Sequence, residues 1–227
     1  MAAIVPMSNA ERERVSAAVT AAETHSAGEI MTILAARSDD YTDVALVWSV
    51  AVGLAALIAL ALAPNFYLDI YDQLADGWVH EWTPPLVFAV ALLVTTIKFT
   101  AMWLLMLWRP LRLWLTPRAI SNARVHDRAV SCFRVGAERR THGRTGILIY
   151  LSLAEHRAEI VADEAISSHV EPEIWGDAMA VMLAELKEGR LAEGLIAAVE
   201  RVGAVLAEHF PSEENDVNEL PDRLIEV

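Results

Sequence analysis

Two long apolar runs, Val44 to Ala63 and Leu86 to Trp108, lie inside this chain, with a polar segment and a short strand pattern before them and most of a soluble domain after them. The first run is twenty residues without an ionisable group, and the second carries one charge, Lys98. An α-helix rises about 1.5 Å per residue, so about twenty residues cross a hydrocarbon core of roughly 30 Å. A core helix of a soluble protein rarely stays apolar on every face for so long. The pattern predicts a two-helix transmembrane hairpin inserted into a folding unit. Neither run reads as a signal peptide, because the segment Ser8-Asn9-Ala10-Glu11-Arg12-Glu13-Arg14 ahead of them is polar.

Orientation follows from the arginines. Pro64 to Pro85, between the runs, has Asp69, Asp72, Asp76 and Glu81 but no Lys or Arg, whereas Arg109, Arg112, Arg118, Arg124 and Arg128 crowd the exit of the second run. Positive charge stays inside, which predicts a multi-pass protein of the cell (inner) membrane with both termini cytoplasmic. Trp78 and Trp82 at one boundary, with Trp108 and Trp114 at the other, fit aromatic belts; loop packing is the other reading, and Trp114 also suits a soluble helix.

The net charge of -13 is unevenly spread. From Arg109 to Arg144 there are nine arginines against Asp127 and Glu138, and from Thr145 to Val227 eighteen acids against five bases. A basic belt beside a membrane reads as attraction to anionic headgroups; the acidic stretch behind it argues against nucleic acid as a partner. The single cysteine, Cys132, excludes an intramolecular disulfide and a cysteine metal cluster, and its place on the apolar side of a helix suits a packed thiol.

Without the hairpin, a unit of single-domain size remains, in two pieces. Ser8 with Glu11 forms a capping-box pattern for a first helix ending near Thr24, with an apolar stripe of Val15, Val19 and Ala22. Gly28 precedes a short strand from Glu29. Beyond the hairpin, Pro110 and Pro117 interrupt or steer the chain, and the spacing of Ile120, Ala123, Val130, Phe133 and Ala137 predicts a helix stopping around Thr141 to Gly143. Gly146 to Leu153 is nearly continuous in its apolarity, as a central strand is, and a tight connection leads to a second strand over Ala158 to Ala162. Helices are expected over about Glu173–Lys187 and Leu191–His209, broken at Gly189, followed by an acidic extended tail. The domain boundaries read from the sequence are 1–43, a hairpin over 44–108 with spans 44–63 and 86–108, 109–210, and a tail over 211–227.

Several stretches together resemble the TPM domain, named for thylakoid acid phosphatase, photosystem repair and acetylcholine-receptor modulator members. They are Gly28-Glu29-Ile30 at the first strand; Phe133, Thr141 and Arg144-Thr145-Gly146-Ile147-Leu148-Ile149; Glu159-Ile160-Val161-Ala162-Asp163; Trp175; and Asn218-Glu219-Leu220-Pro221-Asp222. The resemblance spans nearly all of the non-membrane chain and implies an α/β fold, a TPM-like α/β/α sandwich with a small mixed sheet, here interrupted by the hairpin. Two departures stand out: Glu164-Ala165 follows Asp163 where family members often have glycine, and the hairpin replaces the commoner signal peptide with a single following span.

Glu29 begins one strand and Asp163 ends another. If those strands are neighbours, the carboxylates converge at one sheet edge with Arg144 close by. Two hard oxygen ligands with backbone carbonyls suit Ca²⁺ or Mg²⁺, and an arginine suits a phosphate. A surface salt bridge and a strand-end turn is the other reading. The family resemblance implies phosphatase activity as one expectation, although no phosphatase nucleophile motif is present.

His126, His142, His156 and His169 have no zinc-ligand spacing, and Glu171, Glu173 and Asp177 complement a helix N-terminus. Walker, GxGxxG and GxSxG motifs are absent, which demotes nucleotide hydrolysis, dinucleotide redox chemistry and serine esterase chemistry. Lys98 lies near mid-span, where a charge costs at least about 2.5–3.5 kcal/mol; it reads either as a contact within or between subunits or as snorkelling. Two function classes follow: a membrane-anchored cytoplasmic accessory or interaction module that docks an unidentified protein partner and binds a divalent ion, or a metal-dependent phosphatase of the TPM type. Self-association through the hairpin is a further expectation.

Overall fold

The computed structural model describes residues 7–74, 82–136, 145–171, 173–212 and 220–227. In chain order its elements are α1 (Asn9–Glu23), β1 (Glu29–Ala35), α2 (Thr42–Leu62), α3 (Pro64–Leu74), α4 (Pro84–Met106), α5 (Arg109–Leu115), α6 (Arg118–Gly136), β2 (Gly146–Ser152), β3 (Arg157–Ala162), α7 (Glu164–Ser167), α8 (Ile174–Lys187), α9 (Leu191–His209) and β4 (Ile225–Glu226). They form two compact units, one from 1–39 with 118–227 and the other from 40–117.

The first unit is built on a four-stranded sheet in the order β3-β2-β1-β4. β1 and β2 run parallel, from Glu29 opposite Gly146 to Ala35 opposite Ser152, although α2 to α6 separate them in sequence. β3 returns antiparallel to β2, and β4 adds a short parallel rung at Ile33 and Leu34. The sheet is therefore mixed, and β1 and β2 are buried along their whole length. Alternation sends Ile30, Leu34, Ile147, Ile149 and Leu151 to a face covered by α1, α8 and α9, and Met31, Ile33, Leu148 and Tyr150 to a face covered by α6. The result is the expected α/β/α sandwich.

Local chemistry explains where these elements start and stop. Ser8 accepts from the Glu11 N–H at 3.3 Å while the Glu11 carboxylate accepts from the Ser8 N–H at 2.7 Å, closing the capping box at the head of α1. After α8, Gly189 adopts φ +78°, a left-handed conformation that glycine takes without steric cost, and the chain reverses into α9. At the C-terminal end, residues 225–226 join the sheet as β4, and Arg12 Nε meets Glu226 Oε1 at 2.9 Å.

In the second unit, α2 and α4 are each long and apolar enough to cross a membrane. Ala45, Ser49 and Gly53 repeat every fourth residue and are buried. A methyl placed on Gly53 would stand 3.5 Å from Thr95 Cγ2 and 3.8 Å from Phe99 Cβ, so this small-residue row is the seam on which α4 packs. Val47, Leu54, Ile58, Phe88, Leu92 and Ile97 point outward and are exposed. The linking segment contributes the helix α3, whose Asp72 Oδ2 accepts from Trp82 Nε1 at 3.2 Å. Asp76, Trp78 and Glu81 lie outside the described residues.

Candidate cation site at the sheet edge

The parallel register of β1 and β2 puts Glu29 beside Gly146, and the Asp163 N–H donates to the Gly146 carbonyl at 2.9 Å from the other side. Glu29 and Asp163 thus flank one glycine at the same end of the sheet, two strand spacings or roughly 10 Å apart along the backbone. By alternation both continue the face packed by α6, and Gly146 places no side chain between them. Glu29 is 7% exposed and Asp163 7% exposed, so both carboxylates are nearly withdrawn from water.

Their partners differ. Glu29 Oε2 accepts from the Leu220 N–H at 3.1 Å. Asp163 caps α7, its Oδ1 accepting from the Glu164 N–H at 3.2 Å, while its Oδ2 is buried without a hydrogen-bond partner among the described residues. A buried carboxylate oxygen left unpaired is costly, and a hard cation is one group that would relieve it. Glu29 and Asp163 are hard oxygen donors, the class of ligand that Ca²⁺ and Mg²⁺ take. Among the described residues no group of three or more His, Cys, Asp or Glu is placed to hold a metal ion, so a cation at this end of the sheet would have Glu29 and Asp163 as its side-chain ligands there. Arg144, the expected phosphate partner, lies outside the described residues, as do Thr141, His142, Asn218 and Glu219.

The fold also brings together acids that the sequence did not single out. Glu23, at the end of α1, accepts from the Ile30 N–H at 2.7 Å and shares a hydrogen bond with Asp222. Asp222 Oδ2 in turn accepts from Thr20 Oγ1 at 2.5 Å. Burial pushes the Glu23 carboxyl up to about 8; the Ile30 N–H opposes this, and the negative neighbours Glu29 and Asp222 add to it. Glu23 therefore keeps its proton at neutral pH and can donate to Asp222. The sequence signal for this cluster was the Asn218 to Asp222 stretch, which marked the tail as part of the domain without saying what it touched.

At the opposite end of β1 and β2, a polar network fixes the chain where it leaves the sheet. The Ser38 N–H donates to Glu155 Oε1 at 3.1 Å, Ser38 Oγ lies 3.0 Å from the Tyr150 hydroxyl and donates to Ser152 Oγ at 2.9 Å, and Ser152 Oγ donates to Glu155. Burial raises the Tyr150 hydroxyl, although its Ser38 bond opposes this; Cys132, on α6, is half-buried against the sheet with its thiol likewise pushed up by burial, as suits an unreactive packed thiol. His126 Nδ1 sits 3.5 Å from Glu159 Oε2, an exposed pair. Lys98 lies on α4 with its side chain exposed.

A small mixed sheet between helical layers, with two carboxylates at one edge and a pair of apolar helices let into the chain after β1, defines a three-layer α/β domain with an inserted helical unit. Residues 115–205 match the model of the TPM domain family. The NMR structure of the BA42 protein from the psychrophilic bacterium Bizionia argentinensis sp. nov. is similar in fold, with 18% sequence identity, 100% of each chain covered and a TM-score of 0.57. No curated protein matches the chain.

Proposed function

We propose that this is a multi-pass protein of the cell (inner) membrane, inserted through α2 and α4, which presents its TPM domain at the cytoplasmic face as an accessory or docking module. In this reading Glu29 and Asp163 bind a divalent cation, Ca²⁺ or Mg²⁺. One observation carries it: β1 and β2 are hydrogen-bonded neighbours, yet the whole apolar insertion lies between them in sequence. Strands of one sheet share one side of a bilayer, so an inserted pair of helices has to bring the chain back to the side it left. The outward apolar faces of α2 and α4 suit lipid, and the arginines at the exit of α4 suit the cytoplasmic side. The acidic C-terminal part supplies a docking surface for a protein partner, which is of basic chemistry if charge decides it.

Reporters fused at either terminus and between the spans test the topology in cells. Cytoplasmic reporters at both termini with an external one between the spans are the expected result. Release of the full chain from membranes by alkaline carbonate would overturn insertion. A metal-dependent phosphatase is the second reading, favoured by the unpaired Asp163 Oδ2. Full-length protein assayed on a generic phosphomonoester with Ca²⁺, Mg²⁺ or Mn²⁺ separates the two: turnover lost in Asp163→Asn moves the function to hydrolysis, and no turnover with any metal leaves the module.

A further inference from the structure

The exit of α4 is more than a string of arginines. The α4 helix closes at Leu107, and Trp108 takes extended angles, φ -75° and ψ 102°, so α5 starts as a separate helix with Pro110 in its first turn. At 3.6 residues per turn, Arg109 and Arg112 stand about 60° apart on one side of α5 with Leu113 next to Arg109, while Leu111, Trp114 and Leu115 gather on the other. Trp114 is 79% exposed and Trp108 65% exposed. No acid occurs between Leu107 and Arg118. Trp48 Nε1, near the start of α2, donates to the Leu115 carbonyl at 3.2 Å, which ties the far end of α5 back to the outset of the hairpin.

We infer that α5 is an interfacial helix that binds anionic phospholipid headgroups. Arg109 and Arg112 donate to the lipid phosphates, and Leu111, Trp114 and Leu115 enter the acyl boundary. The inference rests on the membrane insertion proposed above and adds which lipid class the exit of the hairpin selects. Amphipathic helices of this kind lie in the interface plane, with cations on the headgroup side and aromatic and leucine side chains below. Guanidinium groups match phosphate oxygens with paired N–H donors, and the opposite end of the hairpin, which has no Lys or Arg, offers no competing site.

The test is quenching of tryptophan fluorescence in the full chain reconstituted into phosphatidylcholine vesicles containing phosphatidylglycerol, with bromine on the acyl chains of one lipid or the other. The difference between the parent and Trp114→Phe isolates the Trp114 signal. Brominated phosphatidylglycerol is expected to quench Trp114 more strongly than brominated phosphatidylcholine at equal mole fraction. The preference should fall by about five-fold for each arginine replaced in Arg109→Gln and Arg112→Gln, and persist when both are lysine. It should also weaken as salt rises from about 0.1 to about 1 M, a readout that needs no variant. Equal quenching by both lipids, or a preference indifferent to salt or to the glutamine substitutions, overturns the inference while leaving insertion intact. No quenching of any indole by either lipid overturns insertion itself, and the inference with it.

Discussion

The backbone N–H of Leu220 donates to the Glu29 carboxylate across 191 positions of sequence. Leu220 is buried with the α6 layer and Leu224 with the α1, α8 and α9 layer, so the C-terminal segment passes the outer edge of β1 and contributes to both cores. Leu220→Ala is expected to destabilise the domain by about 2–5 kcal/mol through the cavity it leaves. Chemical denaturation followed by the Trp175 signal measures this, Trp175 being buried in the opposite layer. An unchanged midpoint would mean that the segment is not integral to the fold.

Glu23 gives the domain a pH dependence of definite sign. Its carboxyl is raised from the ordinary 4.5 to about 8 in the folded protein, so between those values the folded state holds a proton that the unfolded state has released. Stability contributed by this group is full at the acid end of that window and is lost as pH rises through about 8. Glu23→Gln keeps an acceptor for the Ile30 N–H and an N–H donor for Asp222. It should therefore raise the melting temperature at pH 8.5 relative to the parent and change it little at pH 5.5. An equal shift at both values would show that titration of Glu23 is not the cause.

Much of this sandwich is legible in the sequence because the signals are local. The run Gly146 to Leu153 reads as a buried strand, Ser8 and Glu11 read as a cap, and Gly189 reads as a break, each needing only its neighbours. The Glu29 and Asp163 convergence assumed that their strands are neighbours, and the order β3-β2-β1 instead sets β2 between them, which leaves the two acids at the same end of the sheet but two strands apart. Glu23 and Asp222 offered no such handle: nearly two hundred positions separate them, Glu23 sits in no motif, and the stretch that holds Asp222 does not say what it touches. β4 is likewise invisible to periodicity, since two residues show no alternation. What fixes β4 is the apolar anchoring of Leu220 and Leu224, which lead into it and are buried on opposite faces of the sheet.

Asp163→Asn separates a cation ligand from a strand-end cap. Asparagine caps a helix about as well as aspartate, so the Glu164 N–H keeps its acceptor, while the charge and the unpaired oxygen at Oδ2 are removed. In chelator the variant should be as stable as the parent or more so, by about 1 kcal/mol. With Ca²⁺ or Mg²⁺ the parent should gain melting temperature and the variant should not. Equal gains in both would remove Asp163 from the ligand set.

Gly53 sets the approach of α2 to α4. Alanine there makes ordinary van der Waals contact with Thr95 and Phe99, so Gly53→Ala should be tolerated. Gly53→Leu carries its side chain into the seam and should lower the midpoint of unfolding in sodium dodecyl sulfate by the equivalent of about 1–3 kcal/mol. A seam indifferent to leucine would mean that the two helices do not pack through this row.

Lys98 lies near the middle of α4, among the exposed neighbours Thr96, Ile97 and Thr100. The α2 face of α4 is marked instead by Thr95 and Phe99, which meet Gly53. Insertion of a lysine at this depth costs at least about 2.5–3.5 kcal/mol unless the ammonium finds polar surroundings. The first run offers no acid, so polar company has to come from outside the hairpin, either from another copy of the chain or from the headgroup region reached by snorkelling. The two routes differ in what Lys98→Leu does. If a second copy supplies the partner, the substitution should weaken self-association, seen as a smaller assembly by light scattering in mild detergent. Snorkelling predicts an unchanged assembly with easier membrane insertion, and that outcome would end the case for an oligomer built on this lysine.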